Sequence, residues 1–403
     1  MMTYQPSKEI LDKYADVIVN FALGGGKGVR EGEVVFLAVP ECAKPLLLSL
    51  RRAVLKAGGH AIMNYIPDEV SKEFFEIASD DQISYFPEKF LRGRVEQMDH
   101  LVGIEADANP HELEGIDSKK IMMGQKAMKP YRDWRDEKEN EGRFTWVLCL
   151  YGTSAMAKEA GLSEEEYWNE IIKACYLDFE NPKEKWKEIQ KEIFRVRDKL
   201  NSMKIEKLHI KSEGTDLFVK LGENRNWKGC DGRNVPSFEV FISPDWRGTE
   251  GHVTFTEPLY RYGNLIEGVY LEFKDGCVTK ASATKGENVL KEMIAVENAD
   301  KIGEFSLTDS RLSRISKYMA TTLFDENTCG KSGKGNFHLA LGNAYKDCFS
   351  GNPAKVKKEE WAEMGYNESA VHTDIVSTSD RVVTAVLSSG EKKVIYENGR
   401  FVI

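Results

Sequence analysis

Six side chains between positions 239 and 374 are of the types that bind divalent metal ions: Glu239, Glu304, Glu326, His338, His372 and Asp374. Carboxylates and neutral imidazoles, with no thiolate among them, suit a pair of ions that activates water for hydrolysis. The tightest piece is His372-Thr373-Asp374, inside the run Ala370-Val371-His372-Thr373-Asp374-Ile375-Val376. Successive strand side chains alternate faces, so residues two apart share one. An imidazole and a carboxylate placed in that way can converge on one ion.

Taken singly, each residue has an ordinary structural explanation. One His-x-Asp pair on a strand is a common accident in a chain with seven histidines. Glu304, in Lys301-Ile302-Gly303-Glu304-Phe305-Ser306-Leu307, fits an edge-strand charge, and Glu326, in Phe324-Asp325-Glu326-Asn327, fits a helix cap or a solvated residue. His338, in Asn336-Phe337-His338-Leu339-Ala340-Leu341-Gly342, fits a hydrogen-bonded core histidine. The motif His-Glu-x-x-His is absent, which disfavours a single-zinc protease built on one helix.

Taken in order, the segments point to one family. Asn234-Val235-Pro236-Ser237-Phe238-Glu239-Val240-Phe241-Ile242-Ser243-Pro244, Ile302-Gly303-Glu304, Leu323-Phe324-Asp325-Glu326-Asn327, His338-Leu339-Ala340-Leu341-Gly342 followed by Tyr345, and His372-Thr373-Asp374 together resemble the M29 family of metallo-aminopeptidases, the aminopeptidase T and aminopeptidase S type. The likeness runs more weakly through the rest of the chain. It implies that Glu239, Glu304, Glu326, His338, His372 and Asp374 hold two divalent ions, with Tyr345 beside them, and that the substrate is a peptide cut at its amino terminus. It also implies a homodimer whose site faces an enclosed cavity. Two departures stand out. Twelve positions separate Glu326 from His338, across Cys329-Gly330-Lys331-Ser332-Gly333-Lys334-Gly335, where family members often have only a few. Phe238 precedes the first glutamate where the family often has glycine, which makes a narrower pocket conceivable.

The ligand chemistry suggests a mechanism. Ions of this kind activate water, and a carboxylate among Glu239, Glu304 and Glu326 can take its proton and pass it to the leaving amine. Tyr345 can donate a hydrogen bond to a tetrahedral oxyanion, or simply pack in the core. Zinc, cobalt, manganese and magnesium all accept such a mixed oxygen and nitrogen set. Two rival functions remain open at this level. One is a binuclear amidohydrolase acting on non-peptide amides. The other is a non-catalytic metal-binding assembly protein, although a purely structural zinc site usually closes with four ligands, often thiolates.

Composition bounds these expectations. A chain of 403 residues, 41% apolar and 30% charged, is too long for one typical core and should form two domains. Its net charge of −9 gives a nucleic-acid partner no electrostatic support. No apolar run approaches the twenty or so residues of a membrane span, and the residues from Met1 to Glu9 lack a signal peptide's apolar core, so a cytoplasmic protein is expected. Seven cysteines with no Cys-x-x-Cys pair fit a reducing compartment without a zinc finger. Cys329 and Cys348 lie near the candidate residues, but a thiol nucleophile is disfavoured beside an intact ligand set.

Such a site needs strands to position it, and the periodicity supplies them. Residues 34–39, 60–65, 101–106 and 144–151 read as strands. Residues 43–56 read as a helix closed by Gly58-Gly59, with apolar residues at 46, 47, 50, 54 and 55. Ser163-x-x-Glu166 is a capping box opening a helix through Cys175. A further helix from Pro182 aligns Trp186, Ile189, Ile193, Val196, Leu200 and Met203. The fold class is therefore α/β: an amino-terminal, mainly parallel sheet with flanking helices over 1–205, then an α+β catalytic, metal-binding domain over 206–403. In the second domain residues 207–211, 217–221, 265–273 and 382–387 read as strands and 310–321 as a helix. Gly24-Gly25-Gly26-Lys27-Gly28 precedes a strand rather than following one, and Gly330-Lys331-Ser332 lacks the first glycine of a phosphate loop, so nucleotide binding is not expected.

Overall fold

Val34-Val35-Phe36-Leu37-Ala38-Val39-Pro40 is rich in β-branched and aromatic residues and almost wholly buried, as a central strand of a covered parallel sheet must be. The computed structural model describes residues 4–261, 264–330 and 333–403. Met1 to Thr3 and, in the glycine-rich loop, Lys331 and Ser332 lie outside the described residues. In the first unit, β1 (Val34–Pro40), β2 (His60–Ile66), β3 (His100–Glu105) and β4 (Thr145–Leu150) pair in the order β2-β1-β3-β4, all parallel. Asn234–Val235 adds a fifth strand, parallel to β4.

Helices connect the strands and close the core. Lys44–Lys56 links β1 to β2 and packs against the helix Lys8–Val17. Glu88–Gln97 and Lys129–Asn140 contribute Leu91, Val95 and Tyr131 to a cluster with Phe36, Met98 and Phe144. The helix Glu164–Ala174 begins as its sequence demands: the Glu166 amide donates to Ser163 Oγ at 3.2 Å and the Ser163 amide to Glu166 Oε2 at 3.0 Å.

The helix Pro182–Ser202 buries Trp186, Ile189, Ile193, Val196 and Leu200 on one stripe. The helix ends at Ser202. By compactness the chain divides within this helix, into Met1–Lys187 with Asp231–Pro236 and Glu188–Cys230 with Ser237–Ile403.

The second unit is strand-rich. An eight-stranded antiparallel sheet runs, in order, through Cys277–Ser282, Tyr270–Lys274, Glu250–Thr254, Thr215–Lys220, Ile205–Ser212, Arg381–Leu387, Lys392–Glu397 and Arg400–Phe401. A four-stranded antiparallel sheet joins His372–Ser377, Asn336–Gly342, Ile302–Thr308 and Glu239–Ile242 in that order. Two sequence expectations need correction. Residues 265–273 are not one strand: Asn264–Ile266 and Tyr270–Lys274 are separated where Gly268 adopts φ 63°. Residues 310–321 form no helix, and the helical turn nearby is Thr322–Asp325. Side chains take the amides a helix would use: Arg311 N donates to Asp309, Ile315 N to Ser313 Oγ, and Met319 N and Thr321 N to the Asp325 carboxylate.

Candidate metal centre

The register of the four-stranded sheet gathers the ligand-type side chains on one face. Glu304 lies opposite Ala340, and Ala340 opposite Asp374. His338 lies opposite Ser306 and Val376, His372 opposite Gly342, and Glu239 opposite Thr308. Directly paired residues, and residues two apart on one strand, share a face. Glu239, Glu304, His338, His372 and Asp374 therefore point the same way from four strands. The residues between them in the rows, Ala340 and Gly342, are small enough to let the longer side chains meet.

They meet as two clusters, Glu239 with Glu304 and His338, and Glu304 with His372 and Asp374. His338 Nε2 stands 3.8 Å from Glu239 Oε2, 3.6 Å from Glu304 Oε1 and 3.9 Å from Asp374 Oδ1. His372 Nε2 stands 3.5 Å from Glu304 Oε2 and 3.4 Å from Asp374 Oδ1. Glu304 thus turns one oxygen to each imidazole. These separations exceed ordinary hydrogen bonds. The two His372 separations are close to the edge of a coordination shell, since donor atoms about 2.1 Å from a common ion lie roughly 3 to 3.5 Å apart, and those of His338 are a few tenths of an ångström wider.

Both imidazoles are fixed from behind. His338 Nδ1 donates to the main-chain oxygen of Glu326 at 3.2 Å, and His372 Nδ1 donates to that of Asn343 at 2.8 Å. A carbonyl can only accept, so each Nδ1 carries a proton and each Nε2 faces the carboxylates, where it can hold a second proton or an ion. Metal-binding histidines are held in this way. The donor set and its tautomers fit divalent ions.

Burial gives the cluster its electrostatics. Glu239, Glu304 and His338 are buried, and three carboxylates cannot share such a site without compensating positive charge. Burial pushes Glu239 up to about 7, His338 opposing and Glu304 and Asp374 adding. Burial works against ionisation of Asp374 too, but His372 beside it outweighs that and holds it at about 2. His338 rises to about 9: burial favours its neutral form, and Glu304, Glu239 and Asp374 overcome that. His372 is likewise raised well above its ordinary value, burial being overcome by Asp374 and Glu304. Protons on the imidazoles supply positive charge that divalent ions would replace.

The remaining sequence candidates are placed as follows. Glu326 is buried, and its main-chain oxygen accepts the His338 Nδ1 proton. Tyr345 lies beside His372, with ring centroids 4.9 Å apart, and its amide donates to Ser243 Oγ. Phe238 is fully buried. Burial pushes the Cys329 thiol up to about 11 and, with Asp347, the Cys348 thiol higher still, against a nucleophilic role for either. All seven cysteines are free. Sequence reasoning missed Asn327, whose Nδ2 reaches Glu239 Oε1 at 3.1 Å; its place in Asp325-Glu326-Asn327 was the only signal. It also missed Asn343, which acts through its backbone and leaves no side-chain signal.

The family profile described as thermophilic metalloprotease (M29) matches residues 7–401. The chain is 31% identical to aminopeptidase AmpS of Bacillus subtilis, across 97% of the chain and 98% of that protein. It is 27% identical to aminopeptidase T of Thermus thermophilus, across 98% of the chain and 99% of that protein. Among solved structures, wild-type AmpT from Thermus thermophilus matches with a TM-score of 0.83 and 25% identity, covering 98% of this chain and 100% of that one.

Proposed function

This chain belongs to the M29 family of thermophilic metalloproteases, and from that premise we propose that it is a metal-dependent aminopeptidase in which Glu239, Glu304, His338, His372 and Asp374 hold two divalent ions. The observation that carries the proposal is the division of Glu304, one oxygen toward His338 and the other toward His372. Zinc, cobalt, manganese and magnesium all suit the donors. Glu326, whose main-chain oxygen orients His338, remains the sixth ligand proposed from the sequence.

Bound there, the ions would lower the pKa of water and polarise the substrate carbonyl. The residues do the rest. One of the carboxylates of Glu239, Glu304 and Glu326 takes the proton from the attacking water as its oxygen bonds to the carbonyl carbon. The same proton goes to the amine nitrogen as the C–N bond breaks. The Tyr345 hydroxyl donates to the oxyanion. A free α-amine would have a lone pair to offer an ion held there, which a blocked terminus lacks.

The aminopeptidase names of the relatives support a peptide substrate over a non-peptide amide or a non-catalytic metal protein. We further propose that residues 206–403 form the catalytic domain, that the protein is cytoplasmic, and that it works as a homodimer. No described helix is long and apolar enough to cross a membrane. The test is hydrolysis of amino-acid anilides, free-amine peptides and amino-terminally blocked peptides after chelation and after adding back each metal. Metal-restored release of single residues from free-amine substrates alone is the expected result. Equal cleavage of blocked substrates, or activity indifferent to chelation, would refute it.

A further inference from the structure

The carboxylate of Glu239 is held on one side by a side chain outside either ligand cluster. Asn327 is fully buried. Its Oδ1 accepts the Phe238 amide at 2.7 Å, and its Nδ2 donates to Glu239 Oε1 at 3.1 Å and to the Leu323 carbonyl at 3.4 Å. The Phe238 amide can only donate, which fixes which end of the amide is oxygen and puts the Nδ2 hydrogens toward Glu239. Ser237 Oγ adds a longer bond to the same oxygen, at 3.3 Å. Glu239 Oε2 is the oxygen that faces His338 Nε2.

We propose that Asn327 is a positioning residue that ties down Glu239 Oε1 and so commits Oε2 alone to the ion shared with His338. This rests on the metal reading above. One amide bonds both the backbone amide of Phe238 and the carboxylate of the next residue, Glu239. It thereby sets the rotation of that carboxyl group about its axis, and such outer partners orient ligands and tune affinity. Asn327 bonds to Glu239 among the clustered ligands, so its effect is confined to one of the two ion positions. The ion of Glu304, His372 and Asp374 does not depend on it.

Asn327→Asp isolates the bond: it keeps the acceptor for the Phe238 amide and replaces the donor to Glu239 with an oxygen. Asn327→Ala removes both, and Ser237→Ala removes only the weaker donor. Calorimetric titration of the metal-stripped full-length protein with zinc reads the two positions separately, and thermal melting of the stripped proteins reports folding. The expected result for Asn327→Asp is one site unchanged and one weakened roughly 10- to 100-fold, with turnover recovering as zinc is raised, which a merely misfolded variant would not show. Ser237→Ala should lose less. Wild-type affinity at both sites in Asn327→Asp, or equal loss at both, overturns the proposal. A wild-type chain that takes up no divalent ion overturns the metal reading, and this proposal with it.

Discussion

Gly303 runs so close to Asn343 that an added Cβ would fall 2.2 Å from the Asn343 carbonyl oxygen. That oxygen accepts the His372 Nδ1 proton. The strand Ile302–Thr308 shifts register between Ile302 and Glu304, next to this contact. The glycine immediately before Glu304 therefore lets the backbone behind His372 come near enough to set its tautomer.

Gly303→Ala should push the Asn343 carbonyl away and release His372. A misplacement of about 1 Å at a reacting centre can cost on the order of 100-fold, and kcat should fall by at least roughly tenfold while the protein still folds. Steady-state kinetics with melting curves check this. Wild-type kcat in a folded Gly303→Ala protein would separate the glycine from the site.

Glu304 is common to both clusters, whereas Glu239 belongs to one. Glu304→Ala should therefore weaken both ion positions, and Glu239→Ala one. Turnover should drop by about 10³-fold or more for Glu304→Ala, as loss of several kcal/mol of charge stabilisation requires. Metal analysis after dialysis distinguishes the two variants, and equal ion content in both would argue against a shared carboxylate.

The strand of His372 and Asp374 was legible in the sequence because alternation is written in side-chain types. His372-Thr373-Asp374 announces one face of a strand, and the structure places it on His372–Ser377. The parallel sheet was legible from a different pattern, the continuous apolar runs of β1 and β4. Contacts between side chain and backbone were not. Residues 310–321 carry helical spacing, but Asp309, Ser313 and Asp325 capture their amides. Asn327 and Gly303 act through distances to partners far along the chain, which no local pattern records.

Tyr345 stands beside His372. If its hydroxyl serves the oxyanion, Tyr345→Phe should lower kcat by roughly 10²-fold or more and leave KM nearly unchanged, the signature of a bond made only in the transition state. Kinetics on one anilide substrate suffice. A change confined to KM would make the tyrosine a binding residue.

The acid limb of stability should depend on Glu33 in the first unit. Burial opposes its ionisation, but hydrogen bonds from His100, at 2.8 Å, and from Arg30 hold it at about 2. A carboxyl depressed in the folded state stabilises above its unfolded value and loses that contribution as pH falls through the folded one. Wild type should exceed Glu33→Gln by about 2 kcal/mol near pH 6, with the gap closing between roughly pH 4.5 and 2. Urea titrations across that range measure it, and a constant gap would contradict the assignment.

The most direct test is to count bound ions and turnover together in wild type and His372→Ala, by elemental analysis of dialysed protein and anilide hydrolysis on the same samples. Two ions per chain in wild type, fewer in His372→Ala, and turnover abolished in a variant that melts as wild type does are the predicted results. Full activity in His372→Ala, or hydrolysis by a wild-type chain carrying no ion, would contradict a two-ion aminopeptidase.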